Sequence, residues 1–262
     1  MKQILKIEIK RAFLNSKFFV ALFIGFFITG YHFVQYVYPI RFTGRSVFYS
    51  WIGAATYTMQ SFILFLLLPI IVAIPFGDSL FKDQRSGYIK NVCIRTDKKM
   101  YLQAKYIATF VSGGAVFVLP LLINLLCTAC VLPSLIPDPL DFASAISPVC
   151  IGYRLFFTHP YLYIFIFLAI DFIFAGLLAT IAITSTEYVE YRVMTLLTPF
   201  ILYFAVYSLL NILGVPLYAP VYFLNPGLER NNLIEFVIGL VILVVLGPGH
   251  YFIKAKKSEV YE

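Results

Sequence analysis

Charged side chains concentrate in one stretch of this sequence, FKDQRSGYIKNVCIRTDKKMYLQAKY at 81–106, which holds seven of the 20 Lys and Arg residues. Apolar residues such as Phe81, Tyr88 and Ile89 stand among the charges. Apolar anchors inside a polar rim are the composition of a surface that docks another macromolecule. A passive turn between two helices could be much shorter, so the stretch is either a docking surface or a solvated loop.

Two polar residues lie inside otherwise apolar runs. Asp171 interrupts a long uncharged segment, where a carboxylate must face a cavity or a partner rather than lipid. It could relay protons or ions, or it could be a hydrogen-bonded helix contact. Asn124 could form a hydrogen bond between neighbouring helices.

Recognisable catalytic chemistry is absent from the sequence. It contains no G-x-x-x-x-G-K-[ST] phosphate loop, no H-E-x-x-H and no G-x-S-x-G. The three histidines are far apart, and the four cysteines are predicted to form neither a zinc site nor a disulfide framework, although a Cys130–Cys150 bridge stays open. We therefore expect no enzymatic activity, no metal site and no cofactor in this chain.

The elements that position these residues are predicted to be membrane helices. Hydrophobic residues make up 61% of the 262 residues and charged residues only 13%, too few for a soluble domain. A membrane-spanning helix needs about 20 mostly apolar residues. The sequence predicts one all-α polytopic domain with six transmembrane helices, at Phe18–Val37, Thr58–Phe76, Ile107–Leu132, Tyr161–Ser185, Val193–Leu213 and Ile234–Phe252.

The basic residues predict the orientation. Five precede the first predicted span, seven lie in 77–105, one in 186–192 and three in the tail. Only four lie on the other side: Arg41, Arg45, Arg154 and Arg230. This bias predicts that both termini are cytoplasmic. It also accounts for the net charge of +7 without nucleic acid.

Three further segments are interpreted from their patterns. Residues 1–16 combine basic and apolar residues as an amphipathic helix in the inner membrane interface does, although a plain basic flank is the alternative. Residues 214–232 are predicted to form a partly embedded outer segment. We also expect Ser79–Asp83 to continue the second span as one helix and Lys98–Tyr106 to run directly into the third.

The polar stretch resembles a motif of the permease subunits of type-2 ABC transporters, exporter class. That family carries Phe-x-x-Glu-x-x-x-Gly-Thr after its second span. This sequence has Phe81, Asp83 in place of Glu, Gly87 and Tyr88 in place of Thr, then RTDKKMYLQAK ending at Lys105. Six spans, an N-terminal amphipathic helix and cytoplasmic termini are also typical of the family.

The resemblance implies a function. Two permease copies would form a membrane unit, and two separate ATPase subunits carrying ATP and Mg would dock beneath them. The region 77–105 would act as the coupling segment that ATPase closure pushes. By this resemblance, the residues expected at or beside the ATPase contact are Phe81, Asp83, Gly87, Arg95, Lys98, Lys99 and Lys105.

The expected setting is a bacterial-type cytoplasmic membrane, with membrane lipid around the chain. The expected substrate is hydrophobic or amphipathic, such as a peptide or an antimicrobial, drug-like molecule. Two other functions stay open: a solitary secondary transporter or channel that uses Asp171, and a membrane immunity or scaffold protein that transports nothing.

Overall fold

The computed structural model of the chain describes residues 2–55, 57–138, 150–226, 233–249 and 251. The secondary structure of this part is entirely helical. Its α-helices are α1 Lys2–Phe13, α2 Ser16–His32, α3 Val47–Ser50, α4 Met59–Ala73, α5 Ser79–Arg85, α6 Tyr88–Cys93, α7 Lys98–Val131, α8 Tyr153–Thr158, α9 Pro160–Ser185, α10 Arg192–Ile212, α11 Pro220–Phe223 and α12 Leu233–Val244.

The prediction that the chain forms helices able to cross a membrane is confirmed for four of them. Four helices are long and apolar enough to cross a membrane: Ser16–Val37, which includes a π-helical turn after α2, and α7, α9 and α10. The second and sixth predicted spans also contain apolar helices, but Met59–Ala73 and Leu233–Gly249 are shorter than 18 residues. That six helices cross the membrane, with cytoplasmic termini, stays a prediction.

The centre of the molecule is the pair α7 and α9, which pack closely along their length. Glycines permit this approach: a Cβ on Gly113 would lie 2.4 Å from the Ala179 Cβ. A Cβ on Gly176 would lie 2.7 Å from the Phe110 ring. α7 has 34 residues and is therefore about 51 Å long, longer than the hydrocarbon core of a bilayer.

α4 and α5 are not one helix, so the predicted continuation from the second span is wrong. α4 ends at Ala73, and residues 74–78 form turns before α5 begins. Pro75 cannot donate a helical backbone hydrogen bond. A Cβ on Gly77 would lie 2.8 Å from the Ala182 Cβ, which shows how closely this turn approaches α9. The turn redirects α5 into the polar end of the molecule.

α1, at the start of the chain, packs against α7. Ala12 and Glu8 are buried in that contact, whereas Lys6 and Lys10 are exposed. Its position in a membrane interface stays a prediction.

The opposite end holds a compact segment that the sequence analysis did not predict. Trp51 and Ile52, just after α3, are buried, and the Ile52 amide donates to the Asn124 side-chain oxygen at 3.0 Å. Of the predicted outer segment 214–232, the structure describes residues up to 226, which form short helical turns including α11. Residues 227–232 lie outside the described part.

We expect Gly113→Ala to destabilise the protein by about 1–3 kcal/mol, because the added methyl group overlaps Ala179 where two backbones meet. The measurement is thermal unfolding of purified protein in detergent. Gly30→Ala in α2 is the matched control, since its Cβ would meet nothing within 4 Å and alanine favours a helix. Equal stability of the two variants would contradict the close packing of α7 and α9.

Candidate functional site

The candidate site lies where α5 meets α1 and α7, and its centre is Asp83. The Asp83 carboxylate is 3% exposed. Arg11 of α1 donates to both of its oxygens, at 2.7 and 3.1 Å. Tyr101 of α7 donates its hydroxyl at 2.5 Å, and Lys105 of α7 also donates to it. A carboxylate bound by a two-pronged guanidinium is geometrically fixed as well as neutralised.

Lys105 is the most unusual member, because its side chain is completely buried. Its ammonium group donates two hydrogen bonds and has a further ion-pair partner nearby. The three partners are Asp83, the Tyr101 hydroxyl at 3.0 Å and Glu8 Oε2 at 3.2 Å. Glu8 also pairs with Arg11 at 2.7 Å. Glu8, Arg11, Asp83, Tyr101 and Lys105 form what we call the balanced cluster, with two formal charges of each sign.

The opposite charges in the balanced cluster offset the cost of burial at Asp83 and Arg11. Burial by itself raises the pKa of Asp83, but the bond from Arg11 and the charge of Lys105 outweigh it, so this pKa lies below its ordinary value. Burial also lowers the pKa of Arg11, but bonding to Asp83 and the charge of Glu8 raise it above its ordinary value. Both groups are therefore ionised at neutral pH.

A second buried carboxylate holds the other side of α5. Asp78, which directly precedes α5, is 2% exposed and pairs with Lys17, Lys82 and Arg192. We call these four residues the Asp78 cluster. Burial by itself raises the pKa of Asp78, but the hydrogen bonds from Lys17 and Arg192 and the charges of Lys17 and Lys82 outweigh it, so this pKa lies below its ordinary value. The first residues of α2 and α10 are thereby tied to α5.

Beyond these two clusters the chain forms an exposed tip. The backbone at Gly87 has a φ of 71°, a left-handed conformation that favours glycine, and it turns the chain from α5 into α6. No residue of α6 is fully buried. Arg95 is exposed in the turn between α6 and α7, and at the start of α7 Lys99 is exposed and Lys98 is half-buried.

The structure divides the seven residues predicted for an ATPase contact into two groups. Gly87, Arg95, Lys98 and Lys99 lie on the tip, whereas Phe81, Asp83 and Lys105 are buried behind it. That any of them contacts an ATPase stays a prediction.

The sequence analysis missed Glu8, Arg11 and Tyr101. Glu8 was the available signal, since an acidic residue among the basic and apolar residues of α1 needs a cationic partner.

Asn124 and Asp171 have different surroundings. Asn124 joins two backbones: its amide donates to the Thr29 carbonyl at 2.9 Å, and its oxygen accepts from Ile52. Asp171 is 1% exposed in the middle of α9, and neither of its carboxylate oxygens has a hydrogen-bond partner among the described residues. Asn124 is therefore a hydrogen-bonded helix contact, whereas the buried Asp171 carboxylate forms no hydrogen bond with the described residues.

Comparisons with protein-family models, with curated proteins and with solved structures give no match to this chain. In the part of the chain that the structure describes, no three His, Cys, Asp or Glu side chains are grouped as metal ligands would be. The fold and site define an all-helical protein of the membrane type, with a polar end built around the buried carboxylates of Glu8, Asp78 and Asp83.

We expect Asp83→Asn to destabilise the protein by about 3–5 kcal/mol at pH 7, because it leaves Lys105 buried with less compensating charge. The pKa of Asp83 is depressed in the folded protein, so its contribution is complete above the ordinary value of about 3.9 and is lost as the pH falls below it. The difference in the free energy of unfolding between Asp83→Asn and the parent should therefore be smaller at pH 3 than at pH 7. Unfolding of purified protein at both pH values measures this.

Glu190→Gln provides the control, since it removes an exposed carboxylate instead. A variant Asp83→Asn that unfolds like the parent at pH 7 would show that the balanced cluster contributes nothing to stability.

Proposed function

We propose that this chain is the membrane-spanning permease subunit of an ATP-driven ABC exporter. The observation that carries the proposal is the tip around α6: a short helix with no fully buried residue, displayed beyond a base of buried ion pairs. A loop that only connected two helices would not need such a base. The motif resemblance lies in this same segment.

The partner would be an ATP-binding-cassette ATPase, which supplies the ATP and Mg that this chain has no phosphate loop to bind. Arg95, Lys98 and Lys99, together with α6, would form the contact, and closure of the ATPases would push it. Asp83 and Lys105 would then act behind the contact, carrying the displacement of α5 into α1 and α7. A second permease copy would complete the membrane unit.

The proposed cargo is hydrophobic or amphipathic, such as a peptide or an antimicrobial molecule. A cavity of about 290 Å³ between α9, α10 and α12 supports this, because apolar side chains form most of its lining. Tyr203 and Tyr218 also line it, and Glu235 is the single charged residue among its lining residues. Such surroundings favour an apolar molecule over a strongly polar one.

The ATPase contact predicts a charge-specific loss of assembly. We expect Arg95→Glu/Lys99→Glu to reduce co-purification of an ATP-binding-cassette ATPase with this chain at least about tenfold, since two acidic side chains would replace two basic ones at the proposed docking surface. ATP-dependent transport by the reconstituted complex should fall with it. Both are measured by co-purification and by uptake into proteoliposomes.

The matched control is Arg45→Glu/Arg154→Glu, which makes the same charge change at exposed positions near the opposite end of the chain's helices. Folding of each variant is checked by size-exclusion chromatography. If folded tip variants bind the ATPase and transport like the parent, the contact is not at this tip.

Asp171 supports a second candidate, a secondary transporter that works alone. A buried carboxyl with no hydrogen-bond partner in the described residues is a candidate proton-binding group. This function predicts gradient-driven uptake by vesicles that contain only this chain, abolished by Asp171→Asn and retained in Glu190→Gln. ATP-dependent uptake that survives Asp171→Asn unchanged would remove the candidate.

A further inference from the structure

The Asp78 cluster carries more positive charge than it needs. Three cations surround one carboxylate, which leaves a formal excess of two positive charges. The balanced cluster, only five residues along the chain, has no excess. A buried carboxylate could be neutralised by one partner, so the remaining charge is available for another anion.

The donors of the Asp78 cluster are also only partly used. Arg192 binds Asp78 through Nε, and its two terminal nitrogens have no hydrogen-bond partner among the described residues. The Arg192 side chain is 47% exposed, and that of Lys82 is 48% exposed at 3.7 Å from Asp78. A guanidinium with both terminal nitrogens available matches the geometry of a phosphate group.

Neighbouring groups keep the site basic. Arg85 donates to the Glu190 carbonyl at 2.8 Å, which brings a fourth cation beside the turn that leads to Arg192. The exposed Glu187 and Glu190 side chains are acids in that turn and offset two of these charges. The N-terminal ends of α2 and α10, which begin at Ser16 and Arg192, add their positive dipoles.

The apolar helix α4 ends just before this cluster in the chain. α4 packs against both α2 and α10, whereas α2 and α10 make little contact with each other. The face of α4 between them is therefore left open, and it carries partly exposed Ile63, Leu66, Leu67 and Ile70. On α2, Phe19 and Phe23 are exposed as well.

We propose that the Asp78 cluster binds the headgroup phosphate of an anionic phospholipid, whose acyl chains lie along the open face of α4. Arg192 and Lys82 contact the phosphate, while Lys17 stays paired with Asp78. Charge complementarity selects this occupant, because cations at the end of a membrane helix attract anionic headgroups. The inference needs insertion in a membrane but does not need an ATPase, so the two proposals fail independently.

The test is binding of fluorescent phosphatidylglycerol to the purified full chain in zwitterionic detergent micelles. Each removed charge should weaken binding about fivefold, so Lys82→Gln/Arg192→Gln should weaken it about 25-fold. Lys82→Gln alone, at a half-exposed position, should weaken it about fivefold and provides a variant that preserves the Arg192–Asp78 pair.

Lys90→Gln/Lys99→Gln removes the same charge from the exposed tip and should leave binding unchanged. Phosphatidylcholine should bind weakly to every variant, and millimolar inorganic phosphate should not displace the lipid. The proposal is overturned if Lys90→Gln/Lys99→Gln weakens lipid binding as much as Lys82→Gln/Arg192→Gln does. Equal affinity for phosphatidylglycerol and phosphatidylcholine, or displacement of the lipid by inorganic phosphate, would also overturn it.

Discussion

The polar end of this protein depends on one buried ammonium group. Lys105 has no exposed surface, and an isolated charge in such a place is strongly unfavourable. Its stability therefore requires Asp83 from α5 and Glu8 from α1 at the same time. Because those two acids also bind Arg11, the three helices cannot separate without breaking several charged hydrogen bonds in a buried place. The ion pairs thus determine where α1 and α5 must lie against α7.

α7 connects this electrostatic base to the apolar body. Near the middle of α7, Gly113 and Gly114 let it approach α9 closely, because neither residue has a side chain that would hold the helices apart. Near its start, Tyr101 and Lys105 hold α1 and α5 by hydrogen bonds and charge. One continuous helix is therefore held by ion pairs near its start and by close apolar packing further along. A movement of α5 relative to α7 must disturb the balanced cluster before it reaches the apolar packing.

The sequence predicted where the apolar helices lie but not which side chains join them. Long uncharged segments predicted helices in all six places, because apolar length is a local property. The break between α4 and α5 was not predicted, although Pro75 and Gly77 are local signals for a turn. Nor could spacing reveal that Arg11 binds Asp83, since the residues are 72 positions apart and meet only after α1 folds back on α7. The charged residues at 81–106 drew attention to a contact surface, but Asp83 and Lys105 turned out to be inside.

Asp78, just before α5, and Asp83, within it, bind α5 to two different sets of helices. Asp83 ties it to α1 and α7, while Asp78 ties it to the beginnings of α2 and α10. The second group is the more adjustable, because Lys82 and Arg192 are half exposed, whereas Lys105 is fully enclosed. A displacement of α6 would therefore meet firm resistance on the α1 and α7 side and less on the α2 and α10 side. The two sides differ in the same way in their packing, since α10 is the least buried of the four long apolar helices. If α5 moves, α10 and α2 are consequently the helices whose positions can change at the lowest cost in buried charge.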